Sequence, residues 1–183
     1  MKKKEIEIKI ELTSEEFSNF TKDIADFNFE KTFGYFKKDF SNIQEGIFPR
    51  IKCIKGKKKE IILGVKVKVG NNNQFFEREE TEVKIDENED VNNLRDVLKS
   101  LGFSQEIIFE KKRRNIIKDN ITISFDELPF GFFVEFEGKP EKIEKYVREL
   151  KLSDKPRIIK SYLGLWEECK NRRGIKEKNC VFK

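Results

Sequence analysis

The sequence EIEIKIEL, residues 5–12, decides the fold of this chain, because charged and apolar residues alternate in it without interruption. Successive side chains of an extended chain point to opposite faces, so the pattern predicts a β-strand with Glu5, Glu7, Lys9 and Glu11 on one face. That charged face either lies in water, as in many antiparallel sheets, or lines an enclosed cavity. An enclosed face would place carboxylates beside an ammonium group, which suits a metal ion bound to an anion.

The composition limits the kinds of protein that the chain can be. Its 183 residues suit a single domain, residues 1–183, with a substantial core. The three cysteines, Cys53, Cys169 and Cys180, are far apart, and the chain has no histidine. A disulfide framework and a zinc site are therefore not expected. We expect a cytoplasmic location. No apolar run approaches the roughly 20 residues of a membrane span, so we expect no membrane partner.

The rest of the sequence predicts further strands and four helices. Strand-like stretches occur at about 31–40 and at 48–54, 61–69, 75–85, 107–117, 120–128 and 130–138, with turns at 70–74 and 118–120. Helices are predicted from the capping box of Thr13 and Glu16 to about residue 27, within 86–103, over 140–152, and from Pro156 to about Arg173. Consecutive strands with helices outside indicate an α+β protein with a curled antiparallel sheet.

Nearly every predicted strand carries at least two charges on one face. These are Arg50 and Lys52; Lys66 and Lys68; Arg78, Glu80, Glu82 and Lys84; Lys111 and Arg113; Asp126 beside Thr122 and Ser124; and Glu135 and Glu137. If helices cover the apolar faces, the charges face one another inside a closed barrel, which must be a wet, charged tunnel because unpaired buried charges are costly. Carboxylates there would bind divalent cations, and lysines and arginines a polyanion. The residues alone leave open an ordinary sheet with a solvated charged face.

The order of these motifs resembles the CYTH superfamily, also called the triphosphate tunnel metalloenzymes. EIEIK at 5–9 is similar to its ExExK signature, RIK at 50–52 to its RxR or RxK strand, and REETE at 78–82 to its RxExE strand. Lys66, KKR at 111–113, FDEL followed by GFFVEFEG, and KSYLGL at 160–165 extend the resemblance over almost the whole chain. ExExK alone is a weak motif, whereas the ordered set is specific.

The resemblance implies an eight-stranded antiparallel barrel forming a charged tunnel, with Mg²⁺ or Mn²⁺ as cofactor and a small-molecule triphosphate as substrate. It implies metal ligands at Glu5, Glu7, Asp126, Glu135 and Glu137, with Glu7, Lys9 and Glu137 in the catalytic group. It also implies phosphate ligands at Lys9, Arg50, Lys52, Lys66, Arg78, Lys111, Arg113 and Lys160. Glu80 and Glu82 are either second-tier metal ligands or partners of tunnel arginines. Lys68, Lys84, Lys112 and Arg114 are expected at the rim or in solvent. Tyr162 is expected in core packing with a hydrogen bond rather than in catalysis, and Trp166 in packing.

Several functions share this tunnel. A metal-dependent triphosphatase is favoured, because a class IV adenylyl cyclase would need in addition a base pocket and an aligned ribose. A non-catalytic binder of an organic phosphate is less favoured, since the metal carboxylates are all present. An RNA-binding module would use the basic strands and the many phenylalanines, but the interleaved glutamates would repel a phosphate backbone, so no nucleic acid is expected. The sequence leaves open whether the chain forms a homodimer, and it does not indicate what is attached to the triphosphate.

Overall fold

The computed structural model describes residues 2–25, 27–44, 46–69 and 74–183, and this part of the chain contains eight strands and five helices. The strands are β1 (Lys2–Leu12), β2 (Asn28–Phe36), β3 (Ile47–Lys55), β4 (Lys59–Lys68), β5 (Phe76–Ile85), β6 (Gln105–Lys118), β7 (Ile121–Leu128) and β8 (Gly131–Glu137). The helices are α1 (Ser14–Thr21), α2 (Ser41–Gln44), α3 (Val91–Ser100), α4 (Pro140–Glu149) and α5 (Tyr162–Arg173). None of these helices is long and apolar enough to cross a lipid bilayer.

The strands form a closed antiparallel barrel in the order β1-β5-β4-β3-β2-β6-β7-β8. Strand β1 closes the ring, because it pairs with β5 on one side and with β8 on the other. Its charged residues are thereby set against charged neighbours, with Glu5 opposite Arg78 and Glu7 opposite Glu137. The α+β class and the eight-stranded antiparallel barrel predicted from the sequence are confirmed.

The apolar faces of the strands lie outside the barrel, under the helices. Ile8 and Ile10 of β1 are fully buried and pack in one cluster with Ile143 and Val147 of α4. A second cluster joins strands β2, β3 and β4 to Leu98 of α3. Since side chains alternate along a strand, covering the apolar faces turns the charged faces into the barrel.

Helix α5 covers the end of the barrel at which β2 and β7 finish and β6 begins. Trp166 packs there in a cluster with Phe36 and Ile107, and its indole N–H donates to the carbonyl of Lys178. Beyond the helix the chain returns to β6, where the Cys180 amide donates to the Ile108 carbonyl at 2.9 Å. The expected packing role of Trp166 agrees with this position.

Two predicted helix boundaries were wrong. Helix α1 stops at Thr21 rather than near residue 27, and the Ile24 amide bonds only three residues back, to the Thr21 carbonyl, as in a tight turn. Helix α5 begins at Tyr162 rather than at Pro156, because Ile158 exchanges two backbone hydrogen bonds with Lys9 and so cannot join the helix. Its N-cap is Ser161, whose hydroxyl accepts from the Gly164 amide.

Between β2 and β8, the sequence predicted some strand boundaries and turns correctly and others not. The strand expected at 31–40 spans 28–36, and the short helix α2 that follows was not predicted. Asp119 and Asn120 have φ values of 51° and 60°, the left-handed pair of a tight hairpin turn, as expected at 118–120. The turn predicted at 70–74 lies largely outside the described residues.

Candidate active site

The barrel encloses a cavity of about 720 Å³, lined by side chains from its strands and from the start of α5. The lining includes most of the residues predicted for the site: Glu5, Lys9, Arg50, Lys52, Lys66, Arg78, Glu80, Glu82, Lys111, Arg113, Glu135 and Glu137. Glu7 and Asp126 are fully buried and bonded to lining residues. The structure therefore brings the predicted carboxylates and cations of the strands together in one interior.

Two carboxylates face each other across the β1–β8 pair, Glu7 and Glu137. Like charges directly opposite on neighbouring strands destabilise a sheet unless cations lie between them. Lys9 supplies one such cation, contacting Glu7 and, at 3.3 Å, Glu135; Lys3 contacts Glu137 at 2.5 Å. Glu7 Oε2 is buried and has no hydrogen-bond partner among the described residues. A hard cation would satisfy this oxygen and relieve the repulsion.

Glu5 and Glu7 share the guanidinium of Arg78, at 3.2 and 3.0 Å, and this group also lies over the Phe76 ring. Lys66 Nζ donates to both oxygens of Glu5, at 2.9 and 2.8 Å. Burial by itself raises the pKa of Glu5, but attraction to Lys66 and Arg78 outweighs it and lowers this pKa to about 2. Burial, with repulsion from neighbouring arginines, lowers the pKa of Lys66 to about 8.

On the wall formed by β3 and β5, the Arg50 guanidinium contacts both Glu80 and Glu82, the latter at 2.8 Å. Lys52 Nζ lies 3.3 Å from Glu82. Burial raises the pKa of Glu80. Burial also tends to raise the pKa of Glu82, but attraction to Lys52 and Arg50 outweighs it and lowers this pKa to about 2. In this state both glutamates compensate basic residues, one of the two roles that the sequence left open.

Asp126 of β7 is held by Arg113 through two hydrogen bonds of 2.6 and 2.5 Å. Arg113 also donates to Glu135 at 2.8 Å. The Tyr162 hydroxyl donates to Asp126 at 2.7 Å, and its ring packs against Phe109 and Phe133. Burial raises the pKa of Tyr162 well above its usual value, so the phenol keeps its proton and remains a donor. Tyr162 thus packs and hydrogen-bonds as the sequence predicted.

Three charged residues of the cavity lining were not predicted from the sequence: Glu30, Lys3 and, at the rim, Glu167. Glu30 of β2 is buried and contacts Lys111 at 3.2 Å. Burial tends to raise its pKa, but Lys111, Arg113 and Lys52 lower it to about 2. The alternation Glu30, Thr32, Gly34 could have identified it, but the predicted strand began one residue too late. Lys3 was missed because it precedes the quoted motif.

The structure places some predicted residues outside the cavity lining. Lys160, expected to bind phosphate, is exposed and pairs with Glu168, because the helix that was to carry Lys160 inward starts after it. Lys84 is exposed and pairs with Glu60, and Lys112 pairs with Glu127. Lys68 is exposed at the cavity rim.

The charged side chains inside the barrel form a network of ion pairs, in which carboxylates are neutralised by lysines and arginines. Across residues 2–25, 27–44, 46–69 and 74–183, no three acidic or cysteine side chains lie together as a preformed metal site. The contacts above explain this, because each carboxylate is turned toward a lysine or arginine. The donor set nevertheless suits Mg²⁺ or Mn²⁺, which prefer carboxylate oxygens, and Glu7 Oε2 is without a partner. The carboxylates have the chemistry to bind a cation, and the lysines and arginines that now pair with them have the chemistry to bind an anion.

Comparisons with known proteins place the barrel among solved structures. No known family profile and no curated protein matches the chain. The structure of PH1819 from Pyrococcus horikoshii is similar, with 25% identity, a TM-score of 0.75, and coverage of 90% of this chain and 99% of that chain. A proposed adenylate cyclase from Vibrio parahaemolyticus has 19% identity, a TM-score of 0.65, and coverage of 89% and 97%.

A further similar structure is that of HpAC1 from Hippeastrum, a proposed adenylyl cyclase described as having a dominant triphosphatase activity. It has 13% identity, a TM-score of 0.62, and coverage of 92% of this chain and 96% of that chain. Identities this low establish a shared fold. The chain thus shares its antiparallel barrel fold with solved structures that include proposed adenylyl cyclases.

Proposed function

We propose that this chain, which has the closed barrel of the CYTH-type proteins, is a divalent-metal-dependent triphosphatase that acts on inorganic triphosphate or an organic triphosphate. The observation that carries the proposal is the facing pair Glu7 and Glu137, set in the same cavity as six lysines and arginines of the strands: Arg50, Lys52, Lys66, Arg78, Lys111 and Arg113. Carboxylates and basic side chains in one cavity suit a metal ion together with a polyanion. The triphosphatase activity described for the structurally similar HpAC1 supports this choice.

The basic residues would bind the phosphates. The Nε atoms of Arg50 and Arg78 are buried without a hydrogen-bond partner among the described residues, so each arginine has a donor to spare. Arginine presents its donors in a planar fork that matches phosphate oxygens, whereas Lys52, Lys66 and Lys111 act as point charges. Together they would offset the charge that develops on the leaving diphosphate.

The acidic residues would hold Mg²⁺ or Mn²⁺. Glu5, Glu7, Glu135 and Glu137 supply carboxylate oxygens from two paired strands, and Asp126 could join them if Arg113 turned to a phosphate. When bound, the metal neutralises phosphate charge and makes a coordinated water more acidic. Lys9, between Glu7 and Glu135, would keep these carboxylates in position and reach a phosphate oxygen.

A class IV adenylyl cyclase is the second candidate, because proposed adenylate cyclases have the same fold. It would use the same residues, with a ribose hydroxyl in place of water as nucleophile. We further propose that the physiological ligand is a small molecule rather than a nucleic acid, since the acidic residues inside the barrel would repel an extended phosphate backbone. A cytoplasmic location and a homodimer remain proposals from the sequence.

The test is an assay of the purified protein with Mg²⁺ or Mn²⁺ against inorganic triphosphate, thiamine triphosphate and ATP, following phosphate release and cyclic AMP. Glu7→Gln and Glu137→Gln keep the side-chain shape and remove the charge, so both should abolish phosphate release. Lys112→Met, on the outer face of β6, is the matched control and should retain activity. Cyclic AMP with diphosphate would favour the cyclase, and metal-dependent binding without turnover would make the barrel a binding site.

A further inference from the structure

The cavity has two halves of different chemistry. The charged half contains the ion pairs described above. The apolar half, at the end of the barrel covered by α5, is walled by Phe36, Ile43, Ile47, Phe48, Ile107 and Leu163. A triphosphate would gain no favourable contacts from these apolar residues, because phosphate oxygens need hydrogen-bond donors and cations. The apolar half therefore suits a different part of the ligand.

The shape of the apolar half depends on a glycine. A Cβ at Gly34 would approach Phe48 Cζ to 2.4 Å and Ile107 Cγ2 to 3.2 Å. The absence of a side chain lets the Phe48 ring lie across the inner surface of β2, 5.6 Å from the Phe36 ring. Phe48 lies two residues before Arg50 on β3, and Phe36 lies on β2, which pairs with the strand that carries Lys111, so this aromatic surface adjoins the basic residues.

Among the described residues, the apolar half offers few hydrogen bonds. The Ser161 hydroxyl accepts from the Gly164 amide, within the helix cap. The charged side chains that border it, Lys68 and Glu167, are exposed at its rim, and Glu167 pairs with Lys170 at 2.8 Å. A nucleobase buried here would leave donors and acceptors unpaired, which costs binding energy. A hydrocarbon or simple aromatic group buried here would lose no hydrogen bonds, because it forms none in water.

Apolar surface is also left open at the entrance to this half. Ile43 is 54% exposed, and Ile47 is half-buried. Both lie in a cavity that continues to the lysines and arginines of the strands, so a group attached to a bound triphosphate would cover them. Burial of that apolar surface would add to the affinity contributed by the phosphates.

On the basis of the proposed function, we propose that the substrate is an organic triphosphate whose non-phosphate part is apolar and poor in hydrogen-bonding groups. That part binds in the apolar half, against Phe48 and Leu163, while the triphosphate occupies the charged half. Inorganic triphosphate would use only half of the cavity, and ATP would place a polar base against the apolar wall.

The experiment compares inorganic triphosphate, phenyl triphosphate and ATP as ligands in the presence of Mg²⁺, by calorimetric affinity and by kcat/KM for phosphate release. We expect phenyl triphosphate to bind about tenfold or more tightly than inorganic triphosphate, because its ring leaves water. We expect ATP to bind more weakly than phenyl triphosphate. Equal affinities for phenyl and inorganic triphosphate, or ATP binding as tightly as phenyl triphosphate, would overturn the inference.

Variants locate the effect. Ile43→Asn changes an exposed position, so it should fold, and it should reduce the preference for phenyl over inorganic triphosphate; Leu163→Asn should do the same. Ile117→Asn, at an exposed position of β6 outside the cavity lining, is the matched control and should keep the preference. A preference unchanged in both wall variants would contradict the assignment. If no triphosphate binds at all, the proposed function fails too; turnover of inorganic triphosphate without a phenyl preference would overturn only this inference.

Discussion

Replacing Arg78 by methionine should destabilise the protein in a way that a divalent metal reverses. The Arg78 side chain is only 14% exposed and is the shared partner of Glu5 and Glu7. Methionine keeps much of the aliphatic length and the contact with Phe76 but removes the charge. Two buried carboxylates would then be left undercompensated, and removing one partner of a buried ion pair typically costs about 3–5 kcal/mol.

The metal should recover much of this loss, because the freed carboxylates gain a cation. At a Mg²⁺ concentration about 100 times its dissociation constant, binding to the folded state adds about 2.7 kcal/mol. In a chain of this size, each kcal/mol moves Tm by about 2–4 °C. Arg78→Met should therefore melt about 6–20 °C below the wild type in chelator and regain a large part of that difference in Mg²⁺. Circular dichroism melting curves with and without the metal measure both quantities.

Arg95→Met is the matched control. Arg95 pairs with Glu106 at 2.9 Å and lies over the Phe33 ring, much as Arg78 lies over Phe76, but it belongs to α3 outside the barrel. Its loss should lower Tm without any additional gain from Mg²⁺. If Mg²⁺ raised the Tm of Arg78→Met no more than that of wild type and Arg95→Met, the assignment of Glu5 and Glu7 as cation ligands would be refuted.

Three further outcomes follow from individual groups. The pKa of Glu30 is about 2 in the folded protein, against an ordinary value of 4.5. Its ionised form therefore stabilises the fold above pH 4.5, and this contribution is lost as the pH falls toward 2. Urea unfolding should therefore show a smaller loss of stability over that interval in Glu30→Gln than in wild type; parallel losses would contradict this. Lys66, with a pKa of about 8, carries its charge below that pH, so kcat/KM for triphosphate should decline above it, and Lys66→Arg should shift the decline to higher pH. An unchanged profile would exclude Lys66 as the titrating group. Tyr162→Phe removes the hydrogen bond to buried Asp126 and should lower the free energy of unfolding by about 1–3 kcal/mol, measured by urea titration; no loss would mean that Asp126 finds another donor.

Alternation, which is a local property, predicted which charged residues share a strand face, and the resemblance to the CYTH superfamily predicted that these faces line a closed barrel. Glu5, Glu7 and Lys9 lie on the inner face because the isoleucines between them need the outer core. The ends of elements were harder to predict. Pro156 is typical of a helix start, but Ile158 gains more from its backbone bridge to Lys9, a contact distant in sequence.

The pairing of charges inside the barrel was also beyond the sequence. Alternation places Asp126 on the inner face, but its two bonds to Arg113 depend on the register of β6 against β7. The apolar half of the cavity was not predicted for a related reason. Phe36, Phe48 and Leu163 are ordinary core residues in the sequence, and only closure by α2 and α5 turns them into a wall.

The placement of β1 has a consequence for the synthesis of the protein. The first strand closes the ring against the last one, and Lys3 bonds to Glu137 across 134 positions of sequence. A nascent chain that has not yet exposed β8 can form neither the closed ring nor the facing carboxylate pair. The site should therefore be the last part of the barrel to assemble, and such a high sequence separation slows folding. Until then both faces of β1, the charged one and the one with Ile8 and Ile10, lack their final neighbours on β8.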